Sequence, residues 1–290
     1  MDVWTIKSIL SWTDTYFSQR DIDSPRLTAE ILLAQALGLR RLDLYLQHDR
    51  PLEQQELAAF KTLIRRRAAR EPVAYITGRK GFFKEQFKVA PGVLIPRPDT
   101  ETLVETAVEI LSEIKQDGRQ ARVMELGVGS GAVIISIANA CKDHLYFGCD
   151  LSLVALSVAC ANVKAFARVS VPLFRGDWLA AVAPQPLFDL ILSNPPYIPS
   201  SDIETLAPEV KDHEPRQALD GGVDGLDAVR VILAQAGERL LPSGYLILEI
   251  GYDHKPLVKS LAKGFSWVAE LDFIKDLAGH YRLAVFKKIN

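Results

Sequence analysis

Several things are scarce in this chain, and each scarcity removes a class of protein. Its 290 residues include only three cysteines, Cys141, Cys149 and Cys160. None forms a Cys-x-x-Cys pair, and an odd count argues against a disulfide framework, so the thiols are expected to be reduced and mostly buried as small apolar groups. No charge of one sign prevails: 34 basic against 36 acidic side chains leave a net charge of −2. That balance argues against a general attraction to nucleic acid or anionic lipid. No run of 18 apolar residues appears, nor a basic N-terminal region leading into an apolar segment, so a soluble, cytoplasmic protein with no membrane partner is expected. The five histidines, His48, His144, His213, His254 and His280, are scattered without metal-ligand spacing, and no metal is expected. No Gly-x-Ser-x-Gly elbow argues for a hydrolase. Internal repeats and low-complexity segments are lacking too.

What remains is ordinary globular composition, 48% apolar and 24% charged, in a length that suits one large domain or two smaller ones. Residues 1–75 read as short amphipathic helices forming a small substrate-recognition or packing domain. Ser24-Pro25 is a start signal, an N-cap with proline at the first helical position. Leu27, Ile31, Ala34 and Leu37 then share one face, and Gly38 closes the segment. A second helix is predicted from Leu52 to Arg70, with Arg65, Arg66, Arg67 and Arg70 read as a solvated face near its C-terminus. Residues 76–97 read as a β-hairpin linker turning at Pro91-Gly92. Pro96-Arg97-Pro98-Asp99-Thr100-Glu101 then opens an amphipathic helix capped by Asp99 or Thr100. Arg97 and Glu101 on this rigid segment suit a simple capped helix or the edge of a pocket.

From Arg119 onward strand, loop and helix repeat, the pattern of an α/β domain. The strand ending at Leu126 runs into Gly127-Val128-Gly129-Ser130-Gly131 and a helix. Such a loop lets backbone approach a ligand at a helix N-terminus. Asp150 ends the next strand, placed to accept hydrogen bonds from both ribose hydroxyls of a nucleoside. Gly127-x-Gly129-x-x-Ala132 also meets the relaxed dinucleotide fingerprint. Glu125 before the loop is awkward beside a pyrophosphate and tolerable beside an amino-acid moiety, which favours S-adenosylmethionine. Asp177-Trp178, closing a third strand, suit an adenine amino group and ring face.

The most informative stretch is Phe188-Asp189-Leu190-Ile191-Leu192-Ser193-Asn194-Pro195-Pro196-Tyr197. Its apolar run is that of a strand buried on both faces of a parallel sheet. It stops at an amide followed by two prolines, each fixing its own φ and extending the residue before it. Beyond strand ends of this kind ligands bind. The chemistry that suits the device is methylation of a planar nitrogen, whose lone pair is delocalised. The Asn194 side-chain oxygen and the Pro195 main-chain carbonyl would accept its two N–H bonds while Tyr197 covers one face. The gain is mainly orientation, for which roughly 7–11 kcal/mol is available in favourable cases. Farther on, the polar and glycine-rich stretch from Glu209 to Asp227 has the length of a functional loop, often a lid.

These stretches together resemble the protein-(glutamine-N5) methyltransferases that modify peptide chain release factors, the HemK/PrmC family. The likeness is carried by Val93-Leu94-Ile95-Pro96-Arg97-Pro98-Asp99-Thr100-Glu101, Glu125-Leu126-Gly127-x-Gly129-Ser130-Gly131, Ser193-Asn194-Pro195-Pro196-Tyr197-Ile198-Pro199, Gly221-Gly222-x-Asp224-Gly225-Leu226-Asp227 and Lys275-Asp276-Leu277-Ala278-Gly279. Glu125 and Val128 stand where the family more usually has Asp and Thr. The resemblance implies a seven-stranded, Rossmann-like, S-adenosylmethionine-dependent methyltransferase fold over residues 98–290, preceded by a small helical domain. Gly127, Val128, Gly129, Ser130, Gly131, Asp150, Asp177, Trp178 and Asn194 would bind S-adenosylmethionine, released as S-adenosylhomocysteine. Asn194, Pro195 and Tyr197 would be catalytic, and Asn194 to Tyr197, Pro196 included, would hold the glutamine of a Gly-Gly-Gln tripeptide in the release factor. Arg97, Thr100 and Glu101 would line the same pocket. A monomer without direct nucleic-acid contact is expected. The rival readings are a glutamine in a ribosomal protein, an exocyclic base amine in DNA or RNA, and a silent module that only binds S-adenosylmethionine.

Overall fold

The computed structural model describes residues 3–290. The chain divides into two units: one holds the chain up to Gly78 together with Ala207–His213, the other Arg79–Leu206 and Glu214–Asn290.

The larger unit is built on a seven-stranded sheet. In chain order the strands are β1 (Arg79–Phe82) and β2 (Glu85–Lys88), which form a separate hairpin, then β3 (Arg122–Leu126), β4 (Leu145–Asp150), β5 (Leu173–Arg175), β6 (Phe188–Ser193), β7 (Leu240–Glu249), β8 (Val268–Lys275) and β9 (Tyr281–Lys288). The sheet order is β5-β4-β3-β6-β7-β9-β8. The five strands from β5 to β7 pair in parallel, and β9 runs antiparallel to both β7 and β8. Side chains alternate across the pleat, so the two faces feed two cores. Val123, Leu190 and Leu192 pack with Leu103, Val104 and Ala107 of the helix Glu101–Gln116 and with the helix Ala132–Ala140. Met124, Ile191, Leu246 and Leu248 pack with Val229, Ile232 and Leu233 of the helix Asp227–Arg239. Because helices cover both faces, β6 is buried along its whole length, which is why it reads as one apolar run. This is the α/β methyltransferase architecture expected from the sequence.

Strand order reverses at β3. The chain moves outward from β3 to β4 and β5, then returns to the other side of β3 as β6. Leu126 and Ser193 are register partners, and the Ser193 hydroxyl donates to the Leu126 carbonyl at 2.7 Å. The glycine loop and Asn194 therefore start side by side at the switch point, where such sheets bind ligands.

The hairpin does not turn where the sequence suggested. Phe82 pairs with Glu85, so the reversal falls on Phe83-Lys84, with Phe83 in a left-handed conformation at φ 53°. Phe82 and Phe87 both enter the core, 6.3 Å apart edge to face, and that requires the chain to reverse between them. Pro91-Gly92 lies past the hairpin.

In the smaller unit the helices Ile6–Ser18, Pro25–Leu37, Arg41–Leu46, Gln54–Ala68 and Val73–Thr77 close over Phe17, Leu32, Leu33, Leu44 and Phe60. Pro25 does begin its helix, but Ser24 sits at φ 46° and makes no side-chain cap. Gly38 ends that helix in the left-handed region. The basic run is only partly a solvated face. Arg67 is buried, donates to Glu209 at 2.8 Å and to the Glu71 carbonyl, and Arg70 shares Glu209 at 3.2 Å. Two guanidiniums around one carboxylate hold the segment Ala207–His213 in this unit. Among the described residues no helix is long and apolar enough to cross a membrane.

Candidate active site

One cleft in the larger unit collects most of the residues singled out above. Gly127, Val128, Gly129, Ser130, Asp150, Asp177, Trp178, Asn194, Pro196, Arg97 and Thr100 all line it. The glycine loop forms its floor. Gly127 and Val128 donate their amides to the Cys149 carbonyl at 2.9 and 3.1 Å, and Gly127 adopts φ 69°, which suits glycine. Gly131 lies outside the wall. It holds φ 79°, and a Cβ there would stand 3.3 Å from Cβ of Ala159, so its task is to pack the helix that follows.

The acidic groups are held by backbone. Asp150 accepts from Gly129 N through Oδ2 at 2.9 Å and from Ser152 N through Oδ1 at 2.8 Å. Burial pushes its carboxyl above the ordinary aspartate value against these bonds. Each oxygen keeps a lone pair for a further donor. Glu125, fully buried at the penultimate position of β3, accepts from Ile134 N at 2.9 Å. Burial drives its carboxyl well above the usual range, the Ile134 bond pulls it back, and the nearby Asp150 charge adds to the rise. Trp178 sits at φ 49° with its ring toward Gly127.

Asn194 leaves β6 and donates from Nδ2 to the Thr100 hydroxyl at 3.2 Å. That bond occupies the NH₂ end of the carboxamide and leaves its oxygen as the acceptor. Asp99 or Thr100 was expected to cap the following helix; Thr100 takes the N-cap position but makes no side-chain cap bond, because its hydroxyl serves Asn194. Pro195 is buried behind the wall. Tyr197 is not in the wall either, contrary to the ring expected to cover a substrate face. Burial, then the nearby Glu249 charge, push its phenol up to about 12. Glu101 is also outside: its carboxylate accepts from Phe83 N at 2.9 Å and pins the hairpin turn.

Three features escaped sequence reasoning. Glu249 ends β7, one residue past Leu248, the register partner of Ser193. It is fully buried and its carboxyl is pushed up to about 7 by burial, partly offset by the nearby Thr100 and Tyr197 hydroxyls and the Arg282 charge. Glu214, also buried, accepts from Ile95 N at 3.0 Å and from Arg97 Nη2, which seats Arg97. Directly after it, Pro215, Gln217 and Ala218 form part of the cleft wall. The stretch Glu209 to Asp227 was visible, but its polar, glycine-rich character concealed that Glu214 is buried.

The same setting misled the reading of residues 209–227 as a lid. Ile198 donates to the Leu219 carbonyl and accepts from Gly221 N, and Ser200 donates to the Gly222 carbonyl. A Cβ on Gly225 would stand 2.4 Å from the Tyr197 carbonyl oxygen. The glycines let this stretch lie hard against the segment Tyr197 to Ser200, so it is a packed wall rather than a free flap.

Comparison with known proteins agrees with this geometry. A family model described as the PrmC N-terminal domain matches residues 8–78, and one described as the Methyltransferase small domain matches residues 100–210. The release factor glutamine methyltransferase of Geobacter sulfurreducens is 44% identical over 86% of this chain and 85% of its own. That of Rhodopirellula baltica is 37% identical over 98% of this chain and 97% of its own. Among solved structures, the hMettl16 catalytic domain in complex with MAT2A 3′UTR hairpin 6 aligns with a TM-score of 0.56 at 11% identity, covering 70% of this chain and 74% of that one. The T. thermophilus 16S rRNA N2 G1207 methyltransferase, in complex with AdoMet and guanosine, gives 0.50 at 17% identity, covering 72% and 49%. At such identities these two bear on the fold alone. The full-length relatives decide the family: the chain belongs to the release factor glutamine methyltransferases.

Proposed function

We propose that this protein transfers a methyl group from S-adenosylmethionine to the side-chain amide nitrogen of a glutamine in a peptide chain release factor, the glutamine of its Gly-Gly-Gln tripeptide. The observation that carries the reading is Asn194, rigid at the tip of β6, beside the glycine loop, with its NH₂ end tied to Thr100. Its oxygen then accepts one N–H of the substrate amide. Held so, the nitrogen keeps its lone pair toward the donor, and orientation replaces base catalysis.

The chain's own residues fit the donor. Asp150 keeps acceptor capacity for ribose hydroxyls, Trp178 and Asp177 suit adenine, and the buried Glu125 suits a cationic amino-acid moiety. When bound, S-adenosylmethionine supplies an electrophilic methyl carbon. The proposal takes the smaller helical unit as the element that recognises the release factor. Its exposed Leu42, Tyr45 and Leu46, all on the short helix Arg41–Leu46, support that role, since apolar groups clustered at a surface mark interaction sites.

The test is incubation with labelled S-adenosylmethionine and a release factor carrying Gly-Gly-Gln, followed by mass spectrometry of the modified peptide. One added methyl on one glutamine is expected. No transfer, or transfer to nucleic acid or a ribosomal protein instead, overturns the reading.

A further inference from the structure

The motif Lys275-Asp276-Leu277-Ala278-Gly279 forms no part of the cleft wall, and the reaction as proposed makes no use of it. We propose that the turn it makes is a docking surface on the larger unit for the body of the release factor, apart from its Gly-Gly-Gln loop. Leu277 and Tyr252 take an apolar side chain of the substrate there, and Lys255 and Lys275 an acidic one next to it. The inference rests on the reading of a release factor as the substrate.

Position is the first ground. Ser193 pairs with Leu248 across β6 and β7, and Glu249 with Leu283 across β7 and β9. Asn194, Glu249 and Leu283 therefore lie in one row at the carboxyl edge of the parallel strands. Ile250 N donates to the Arg282 carbonyl at 2.9 Å, and Lys275 pairs with Tyr281. The chain from Asp276 to His280 thus reverses just beyond that edge. It joins the second and third strands counted from β6, about 10–14 Å away at about 4.8 Å per strand. A standard protein interface buries about 800 Å² on each partner, a patch about 16 Å in radius. A folded substrate centred on Asn194 therefore covers this turn.

Chemistry is the second ground. Asp276 is buried and accepts His280 N through Oδ1 at 3.0 Å, and Arg282 Nε and Nη2 through Oδ2 at 3.1 and 3.0 Å. Asp276 N donates to the His280 carbonyl, and Gly279 N to the Asp276 carbonyl, each at 2.9 Å. Arg282 also donates to Asp99 at 3.1 Å, the neighbour of Thr100 in the cleft wall. On this braced turn Leu277 is fully exposed, while Tyr252, whose ring meets His280 edge to face at 5.9 Å, is 64% exposed. Apolar groups already held in place lose little freedom on binding, which lowers the cost of association. Beside them two ammoniums share one ring: Lys255 lies 3.6 Å and Lys275 5.0 Å from the centroid of Tyr281. Among the described residues neither is within ion-pair distance of a carboxylate. A ring face attracts a cation without neutralising it, so the pair is open to a carboxylate from outside and repels a basic partner. An aliphatic point at the tip, rather than a platform for stacking bases, favours protein over nucleic acid.

The experiment measures kcat and KM of the full chain for a Gly-Gly-Gln release factor in two variants, Leu277→Asp and the double Lys255→Gln, Lys275→Gln. Calorimetric S-adenosylmethionine binding is the check on folding. Leu277→Asp should raise KM by about 5–30-fold, the usual effect of losing an interface anchor, with kcat and S-adenosylmethionine affinity unchanged. The neutralised enzyme should show a raised KM at low salt, and one that varies less with salt than that of the wild type. If both variants keep the wild-type KM while the wild type methylates the release factor, the docking surface is wrong and the functional reading stands. If the wild type transfers no methyl to the release factor, that reading fails and the surface falls with it. Filter binding of a ribosomal RNA fragment covers the other macromolecule: weaker RNA binding by the neutralised enzyme, with its release-factor KM unmoved, overturns the proposal. Should Leu277→Asp not bind S-adenosylmethionine, the lysine pair decides: a salt profile like that of the wild type overturns the proposal.

Discussion

Replacing Glu214 by alanine tests whether one buried carboxylate holds the cleft wall in register. Its side chain is 2% exposed and serves two donors, Ile95 N and Arg97 Nη2. Removing it strands a buried amide, at a cost of about 1–3 kcal/mol. It also unpairs a guanidinium. The full penalty for breaking a buried pair is about 3–5 kcal/mol, but Arg97 is 34% exposed and water takes over much of the solvation, so only about 1 kcal/mol of that is assigned. The sum is about 2–4 kcal/mol, which lowers the melting temperature of the larger unit by about 4–16 °C. Glu214→Gln keeps an oxygen for Ile95 and should cost less, about 1–2 kcal/mol. Urea denaturation gives the totals, and hydrogen exchange at the Ile95 amide gives the local part. A Glu214→Ala protein within about 0.5 kcal/mol of wild type, the size of an ordinary surface change, with Ile95 still protected, would refute the reasoning.

Other perturbations lead to equally definite outcomes. Asn194→Ala should lower kcat by about 10²–10³ while S-adenosylmethionine still binds; a loss confined to KM would contradict the orientation argument. Asp150→Asn should weaken calorimetric S-adenosylmethionine affinity by roughly tenfold, as expected when hydrogen bonds to a charged group are lost; an unchanged Kd removes Asp150 from the donor site. Gly225→Ala combines a left-handed φ of 74° with a Cβ 2.4 Å from the Tyr197 oxygen and should destabilise by about 2–5 kcal/mol; an unmoved urea midpoint would show that the wall yields. Glu249 also links stability to pH. Its folded value, about 7, lies above the ordinary 4.5, so between these the folded state binds more protons and stability falls as pH rises. The wild type should lose about 3 kcal/mol across that window relative to Glu249→Gln; a pH-independent difference between the two would disprove the link.

The parts of the site that were legible in the sequence are those whose physics is local. An apolar run ending in Asn194-Pro195-Pro196 announces a central strand and a rigid tip without help from neighbours. Gly127 to Gly131 announces a backbone cradle for the same reason. What stayed hidden depends on partners distant in sequence. Thr100 looked like a helix cap, since nothing nearby shows that a hydroxyl will be claimed by Asn194, 94 positions away. Tyr197 looked like a substrate platform because the stretch around Gly225 that packs against it lies far along the chain. The hairpin turn was misplaced because Pro-Gly is the stronger local signal, whereas burial of Phe82 and Phe87 together decides the reversal. The stretch around Gly221 to Gly225 looked loose because glycine marks both mobility and close approach, and only the Tyr197 carbonyl beside Gly225 tells them apart.

The Arg67–Glu209–Arg70 cluster means that the helical unit is not one continuous piece of chain. A fragment stopped at Gly78 would carry every helix of that unit up to Val73–Thr77 yet would lack the carboxylate that neutralises a buried guanidinium. Such a fragment is a poor stand-in for the helical unit of this protein in any binding assay. A faithful one needs the seven residues from Ala207 to His213 supplied as well, either as a second peptide or grafted on by a linker.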